Sequence, residues 1–474
     1  MNQIIEQSHA IQATLVTKEV VTEHRLTDNP MPRIRSVEIQ KHVGKEVRFQ
    51  GWLQTLRQLG GISFIILRDG WGTVQAVTEQ ATDLTELMNA KGESEVQTES
   101  VIELTGLVVA SDQAPGGYEV HNPKVSVIAP VIEPLPVLIS KREVKAALPT
   151  LLEHGVTANR HPKRRAIFRL AATAMSAFRS YLTSHHFTEI QTPKLVASAT
   201  ESGANVFQLD YFGQPAYLAQ SPQLYKQIMV GLFERVFEVG PVFRAESHDT
   251  ARHVNEYVSL DVEFGFIENH LTVLNLLRDL LAHMVQSMAE QNGGEMNLLD
   301  IELPSIPAEI PQIHFRDAKE LIHQLHSQSD GYVDERNEPD LSPQEERWLG
   351  LWAKEQVNSD FLAVLGYPMV KRPFYTYADP SDATYSYSFD LLFRGTELVT
   401  GGQRLHRYSD YLEALARAGL STEPFTHYLS AFRYGMPPHG GFAIGLERLL
   451  MQLSGISNVR LATLFPRDMS RLVP

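Results

Sequence analysis

Three segments of the chain combine residue types that can do chemistry. The densest runs from Val242 to Glu256, Val-Phe-Arg-Ala-Glu-Ser-His-Asp-Thr-Ala-Arg-His-Val-Asn-Glu, and continues to Asp261 and Glu263. It reads as a strand ending at Arg244, a polar loop dense in His and Arg, and a second strand carrying carboxylates. Alternate residues share a strand face, so Asp261 and Glu263 point the same way, and such crowding calls for a cationic or metal-bound ligand. The plain alternative is a solvated hairpin with surface ion pairs. The second segment is Pro437 to Met451, Pro-Pro-His-Gly-Gly-Phe-Ala-Ile-Gly-Leu-Glu-Arg-Leu-Leu-Met. A glycine-rich strand lets a flat ligand lie against the backbone. The helix after it presents Arg448, which can cap a phosphate or stack on a base. The third, Phe187 to Leu195, is a strand broken by Pro193 after a helix, and alone it carries little. The chain has no Gly-x-x-x-x-Gly-Lys-Ser/Thr loop and no Gly-x-Gly-x-x-Gly after a strand, so any nucleotide must be held without the common phosphate loops.

The elements that must hold these residues fall into two patterns. Between Arg33 and Leu138, alternating segments Lys45–Leu53, Ile62–Arg68, Thr73–Val77, Ser100–Val109 and Lys124–Ile128 are separated by turn signals such as Gly60-Gly61 and Asp69-Gly70. Five short strands suggest a small barrel, an oligonucleotide-binding (OB) fold being the natural candidate among small all-β modules. Arg48, Arg57 and Arg68 near Phe64 suit phosphate contact and base stacking, or simply a solvated strand face. Four prolines between Pro130 and Pro149 suggest a hinge. Beyond it, Lys163 to His185 has helical apolar spacing, and the remainder mixes strands and helices without regular βα alternation. The expected class is therefore α+β, with an antiparallel sheet flanked by helices. The expected divisions are an N-terminal extension at 1–32, a barrel at 33–138, a hinge at 139–160 and a catalytic domain at 161–474.

Bulk properties set limits. The chain has 474 residues, 43% of them hydrophobic, enough for more than one core. There are no cysteines, which excludes disulfides and thiolate metal sites. The N-terminal residues lack a basic start followed by an apolar block, so no secretory signal is expected, and a cytoplasmic location fits. The formal net charge of −14 argues against wholesale non-specific nucleic-acid binding and leaves room for a local basic patch.

Taken together, in this order and spacing, the three segments resemble the signature motifs of the class II aminoacyl-tRNA synthetases. The resemblance extends to the aspartyl branch with an N-terminal anticodon-binding barrel. It is carried by Ser221-Pro-Gln-Leu-Tyr-Lys226-Gln, Phe389-Asp-Leu-Leu-Phe-Arg-Gly395, Gly401-Gly-Gln-Arg404, Leu464-Phe-Pro-Arg-Asp468 and, in the barrel, Trp52 to Gln75. It covers residues 33 to 474 and is similar to the archaeal-type form, which lacks a large insertion before the last motif. His186 stands where the first motif often has glycine, and Ala443 replaces a common glycine of the third, where its methyl narrows the adenine slot.

The resemblance implies amino-acid activation, an in-line attack of a carboxylate on the α-phosphorus of ATP, with catalysis by positioning and charge neutralisation. By this likeness Arg244, Glu246 and Arg448 are the catalytic set. Arg244 contacts the α-phosphate with a planar guanidinium that matches two oxygens. Glu246 holds the adenine amino group, Arg252 and His253 grip the outer phosphates, and Arg448 stacks on adenine. Glu397 and Gly445 complete the ATP site. Asp390, Glu397 and Thr400 surround Mg2+, which prefers hard oxygens. Glu397 and Thr400 are three apart, so both serve only if a bulge or Gly401-Gly402 bends the strand. Glu201, Gln223 and Asp261 match the ammonium site for L-aspartate. Lys226 and Arg404 face its side-chain carboxylate, where an amide would leave two cations unpaired. In the barrel, Phe64, Gln75 and Glu99 match anticodon positions.

The expectation is thus a homodimer that forms aspartyl-adenylate and charges tRNA(Asp). Gln54 and Pro115, where relatives of different selectivity vary, lean towards tRNA(Asn) as well. The rivals are an asparagine–tRNA ligase, an amide-forming asparagine synthetase paralogue, and a non-catalytic RNA-binding paralogue.

Overall fold

The computed structural model describes residues 31–88, 96–197, 206–247 and 250–474. The chain divides into two compact units between Lys145 and Ala146.

In the first unit, alternation of apolar and polar residues closes a five-stranded barrel: β1 (Glu46–Leu59), β2 (Ile62–Arg68), β3 (Thr73–Thr78), β4 (Val101–Ala110) and β5 (Tyr118–Ala129), in the order β1-β2-β3-β5-β4. β3 and β5 run parallel and the other pairs antiparallel. Phe49, Leu53, Ile65, Leu67, Ala76, Ile102 and Leu104 fill the interior. Their neighbours in sequence therefore face outwards, among them Phe64, Ile66 and Gln75. The barrel expected from the strand pattern is present, with β1 and β5 longer than the alternation suggested.

The second unit is built on an eight-stranded sheet of order β12-β13-β14-β15-β16-β11-β10-β6. Its strands are β6 (Thr188–Glu189), β10 (Arg235–Phe243), β11 (Glu256–Gly265), β12 (Gln312–His314), β13 (Phe361–Leu365), β14 (Ser388–Phe393), β15 (Thr396–Gln403) and β16 (His439–Gly445). The centre is antiparallel as expected, but both edges add a parallel pair, β12 with β13 and β6 with β10. A small sheet of β7 (Leu195–Val196), β8 (Gln208–Tyr211) and β9 (Gln214–Leu218) stands apart from it. The helices Pro162–Ser184 and His270–Gln291 supply Leu170, Phe178, Leu277 and Leu281 to a core shared with Phe237, Leu260, Val262, Phe442 and Ile444. These sheet residues alternate with those that face the site, so one side of the sheet is wet and the other dry. Two short helices, Leu148–Glu153 and Gly155–Ala158, occupy the latter part of the expected hinge at 139–160. Pro149 fits there because the first turn of a helix needs no amide hydrogen from it.

His186, where the motif resemblance suggests glycine, ends the turn after the helix Pro162–Ser184 with φ +65° and is exposed. A side chain is strained in that region. His186→Gly is expected to raise stability by about 0.5–1 kcal/mol, the relief of left-handed strain exceeding the added freedom of the unfolded chain. Urea denaturation checks this, and an unchanged or lower midpoint would contradict it.

Candidate active site

The floor of the site is the open face of β11, β16 and β15. Residues Tyr257, Ser259, Asp261 and Glu263 form one row on β11. Opposite them on β16 stand Gly445, Ala443 and Gly441, and opposite those on β15 stand Thr400 and Gly402. The middle strand is almost bare, and one position shows why. A Cβ at Gly441 would lie 2.0 Å from the carbonyl oxygen of Val262 and 2.3 Å from Oε2 of Glu263. The flanking carboxylate occupies the space a side chain would need.

Over one end of this floor lies a cavity of about 310 Å³. It is lined by Arg244, Glu246, Arg252, His253, Glu397, Thr400, Ala443, Gly445 and Arg448, together with Tyr257, Ser259 and Glu447. Every residue of the expected ATP set is therefore on its wall. Arg244 follows β10 directly, its amide donating to Asn255 O at 2.9 Å, and its guanidinium stands 5.8 Å from the centre of the Tyr257 ring. Arg448 comes from the first turn of the helix Leu446–Ser454 and donates to Glu397 O at 2.9 Å and Glu397 Oε1 at 3.2 Å.

Glu397 and Thr400 satisfy the condition set by their spacing. Leu391 pairs with Val399 but Leu392 pairs with Glu397, so Leu398 is an extra residue in β15. This bulge turns Glu397 onto the face of Thr400, whose hydroxyl donates to Glu397 Oε1 at 3.4 Å. Burial opposes ionisation of Glu397, yet Arg448, Arg372, Arg244 and Arg252 hold its carboxyl below the ordinary range. Asp390 lies opposite Thr400 on β14 and is not on the cavity wall. It is buried and paired with Arg372 at 3.0 Å, which in turn stacks 4.1 Å from the centre of the Tyr367 ring. Burial, with Glu397 adding to it, pushes the Asp390 carboxyl up despite Arg372. Among the described residues no group of three carboxylates or imidazoles forms a metal cage. Of the three residues expected around magnesium, Glu397 and Thr400 reach the cavity, a carboxylate and a hydroxyl, hard oxygens of the kind magnesium shares with substrate phosphates.

The other end of the floor differs from expectation. Lys226 is not a surface lysine of its helix but 2% exposed, and Arg404 is 6% exposed. Neither lines the cavity. Lys226 Nζ contacts Asp261 Oδ1 at 3.0 Å and Glu263 Oε2 at 3.4 Å, and Arg404 Nε contacts Glu263 Oε1 at 3.1 Å. Gln223 donates to the same Glu263 at 3.4 Å, and Ser259 donates to Asp261 at 2.5 Å. Two cations therefore face two carboxylates within the protein. Burial opposes ionisation of Glu263, but Arg404, Lys226 and His439 hold its carboxyl low. An amide here would strand no bare cation, contrary to expectation, because Glu263, noted in the sequence without a role, already meets both. On the same face lies a further polar group. Tyr428 donates to Gln227 Oε1 at 2.7 Å, and Gln227 Nε2 stands 3.1 Å from His439 Nε2. Burial pushes His439 down to about 4, so it is neutral, with Nδ1 donating to Pro437 O at 2.9 Å. Glu201 lies outside the described residues.

On the barrel, Phe64 and Gln75 share the outer face and Phe64 is half-buried, outside the interior cluster. Glu99, expected with them, is buried. It is 5% exposed, and both its oxygens accept from Arg68 Nη2, at 2.8 and 2.7 Å. The carboxylate next to Gln75 is Glu119, which accepts from Gln75 Nε2 at 2.9 Å and stands 3.0 Å from His121 Nε2. The parallel pairing of β3 and β5 brings it there, matching Ala76 with Val120. Sequence reading missed it, although the alternation of β5 puts Glu119 outside.

Glu447 is 6% exposed on the cavity wall, and burial pushes its carboxyl from 4.5 up to about 7. The folded chain therefore keeps a proton that the unfolded chain releases, and stability falls as pH rises from 4.5 to 7. Glu447→Gln retains an acceptor for the Val258 amide and cannot ionise. It is expected to match the parent near pH 4.5 and to exceed it above pH 7 by about 3 kcal/mol. Thermal unfolding at the two pH values checks this; a constant difference would contradict it.

Comparison with known proteins adds independent findings. Residues 148–469 match the model of the class II tRNA synthetases (D, K and N), and residues 47–128 match that of the OB-fold nucleic acid binding domain. An aspartate–tRNA(Asp/Asn) ligase of Thermus thermophilus is 47% identical over 93% of this chain and all of that protein. One of Deinococcus radiodurans is 44% identical over 94% of this chain and all of its own length. Among solved structures, asparaginyl-tRNA synthetase from Pyrococcus horikoshii complexed with asparaginyl-adenylate superposes with a TM-score of 0.83 at 31% identity, over 94% of this chain and all of that one. With the bare floor, the arginine-flanked cavity and the barrel already in hand, these likenesses establish that the chain belongs to the class II tRNA synthetases, in the family of aspartate–tRNA ligases.

Proposed function

We propose that the protein activates L-aspartate with ATP to aspartyl-adenylate and transfers the aspartyl group to the 3′ end of tRNA(Asp). The observation that carries this reading is the single floor on which an arginine-flanked cavity adjoins a buried cluster of matched charges. ATP occupies the cavity. Arg244 faces the α-phosphate, Glu246 the adenine amino group, Arg252 and His253 the outer phosphates, and Arg448 the adenine ring. The narrow gap over Ala443 and Gly445 suits a flat base. Magnesium bound at Glu397 and Thr400 would supply charge neutralisation for the phosphates, with Asp390 held behind them by Arg372. The aspartate ammonium meets Asp261 and Gln223, with Glu201 as a further partner. Its side-chain carboxylate meets Lys226 and Arg404, which then divide their donors between substrate and Glu263. The attacking carboxylate oxygen lines up with the α-phosphorus, a bond to phosphorus forms, and pyrophosphate leaves. Fixed guanidinium groups oppose the charge that develops.

The barrel is proposed to read the anticodon through Phe64, Gln75 and Glu119, the last replacing Glu99 in this role. Phe64 offers a ring for stacking, and the Gln75–Glu119 pair offers base-edge partners. The two relatives named for tRNA(Asp/Asn) support charging of tRNA(Asn) too. Gln54, at the bulge of β1, has a buried amide oxygen without a partner among the described residues. A homodimer is proposed from the family resemblance, with mass by light scattering as its test. No described helix is long and apolar enough to cross a membrane, and the proposed location is the cytoplasm. Asparagine remains the second amino acid to test, because the cations that would select aspartate are already matched inside the protein.

Arg244→Ala is expected to lower aspartate-dependent ATP–pyrophosphate exchange by at least about a hundredfold, the scale for losing a donor to transition-state charge. Exchange within a few-fold of the parent would refute the assignment. The same assay with asparagine should give no signal above background; robust asparagine-dependent exchange would favour the rival ligase. Phe64→Ala is expected to raise KM for tRNA about 5- to 100-fold, the range for one lost base stack, with exchange unchanged. An unchanged tRNA KM would remove Phe64 from the contact.

A further inference from the structure

Arg252 sits between β10 and β11 on a loop that is pinned by Val459 and Arg460, far along the chain. Ala251 O accepts from the Val459 amide at 2.8 Å, and Thr250 O accepts from Arg460 Nη1 at 3.1 Å. The guanidinium of Arg252 does not hang free over the cavity. Its Nη2 donates to Glu346 Oε2 at 2.6 Å, and the same oxygen accepts from the Glu397 amide at 3.2 Å. Glu346 is 8% exposed and belongs to the first turns of the helix Pro343–Val357, a segment with no recognised motif. It is not on the cavity wall, whereas Arg252 and Glu397 are. One carboxylate oxygen thus joins a loop residue and a strand residue that face the same cavity.

The helix is docked so that Glu346 can reach. A Cβ on Gly350 would lie 2.4 Å from Gly395, so the helix meets the β14–β15 turn backbone to backbone. The neighbouring Glu345 is engaged elsewhere, with Lys319 at 2.7 Å. Among the described residues the guanidinium of Arg252 has one carboxylate partner, and that contact takes Nη2, leaving the fork with further donors for a phosphate.

We propose that Glu346 is a positioning residue for ATP: it holds Arg252 at the outer-phosphate end of the cavity and ties it to the strand that bears Glu397. The inference rests on the reading of Arg252 as an outer-phosphate ligand. Glu346 touches no substrate. It fixes a long, flexible cation before the nucleotide arrives, so less rotamer freedom is lost on binding.

The test is a double-mutant cycle on the full-length protein, read as initial rates of ATP–pyrophosphate exchange. Glu346→Gln keeps the shape and removes the charge; Glu346→Ala removes both. KM for ATP is expected to rise about tenfold in Glu346→Ala and less in Glu346→Gln, within the range for coupling between contacting charges. The maximal rate should stay within about threefold and KM for aspartate should not change, a split that general loosening of the fold would not give. In an Arg252→Ala background, Glu346→Gln should add nothing further. Full multiplication of the two effects, or an unchanged KM for ATP in both Glu346 variants, overturns the proposal. An unchanged KM for ATP in Arg252→Ala alone overturns it together with the outer-phosphate reading, which distinguishes the two failures. Should Glu346→Ala prove insoluble, the isosteric Glu346→Gln decides.

Discussion

A strip of backbone nearly free of side chains, Gly441, Ala443 and Gly445 on β16, is what the site depends on. It lies between a strand of carboxylates and a strand of hydroxyl and glycine, and nothing larger than a methyl faces the ligand from it. The space is not left over from loose packing. At Gly441 it is filled by the carboxylate of Glu263 reaching across. The opposite face of the same three strands carries Leu260, Val262, Val399, Phe442 and Ile444 in the main core. One side of the sheet thus supplies cohesion, and that allows the other to remain polar.

The charges on this floor follow one rule: each buried ion has a partner of opposite sign. Glu263 is shared by Lys226 and Arg404, Asp261 by Lys226 and Ser259, and Asp390 by Arg372, while the more open Glu397 pairs with Arg448. Burying such ions is costly unless their geometry and hydrogen bonding are good. A ligand entering here exchanges partners with groups that are already oriented. Preorganisation of that kind is what stabilisation of developing charge requires.

Much of this was legible in the sequence, for reasons tied to particular residues. The alternation of polar and apolar residues in the N-terminal segments marked the barrel, and the likeness to the class II motifs singled out Arg244, Glu246 and Arg448, which share one cavity wall. The strand periodicity even set the condition that Glu397 and Thr400 could act together only through a bulge, and Leu398 provides it. What stayed hidden depends on long-range pairing. Glu119 reaches Gln75 through a parallel contact of β3 with β5, which no local pattern announces. Glu99 has the right charge, but the buried Arg68 claims it. Arg372 and Glu346 come from stretches without a motif and matter through long-range contacts, Arg372 with Asp390 and Tyr367, Glu346 with Arg252 and the Glu397 amide. The burial of Lys226 could not be read from a helix whose polar and apolar residues gave no hint of the carboxylates waiting on β11.

The bracing of the loop from Thr250 to Asn255 has a consequence for biosynthesis. Thr250 and Ala251 are gripped by Arg460 and Val459, and Asn255 by the carbonyl of Arg467; the Thr250–Arg460 contact spans 210 positions. On the ribosome, the loop emerges long before the residues that anchor it. β16, which joins β11 to β15 at the centre of the sheet, is likewise made long after the loop. The clamp on this loop is therefore completed only once the stretch from Val459 to Arg467 has been made.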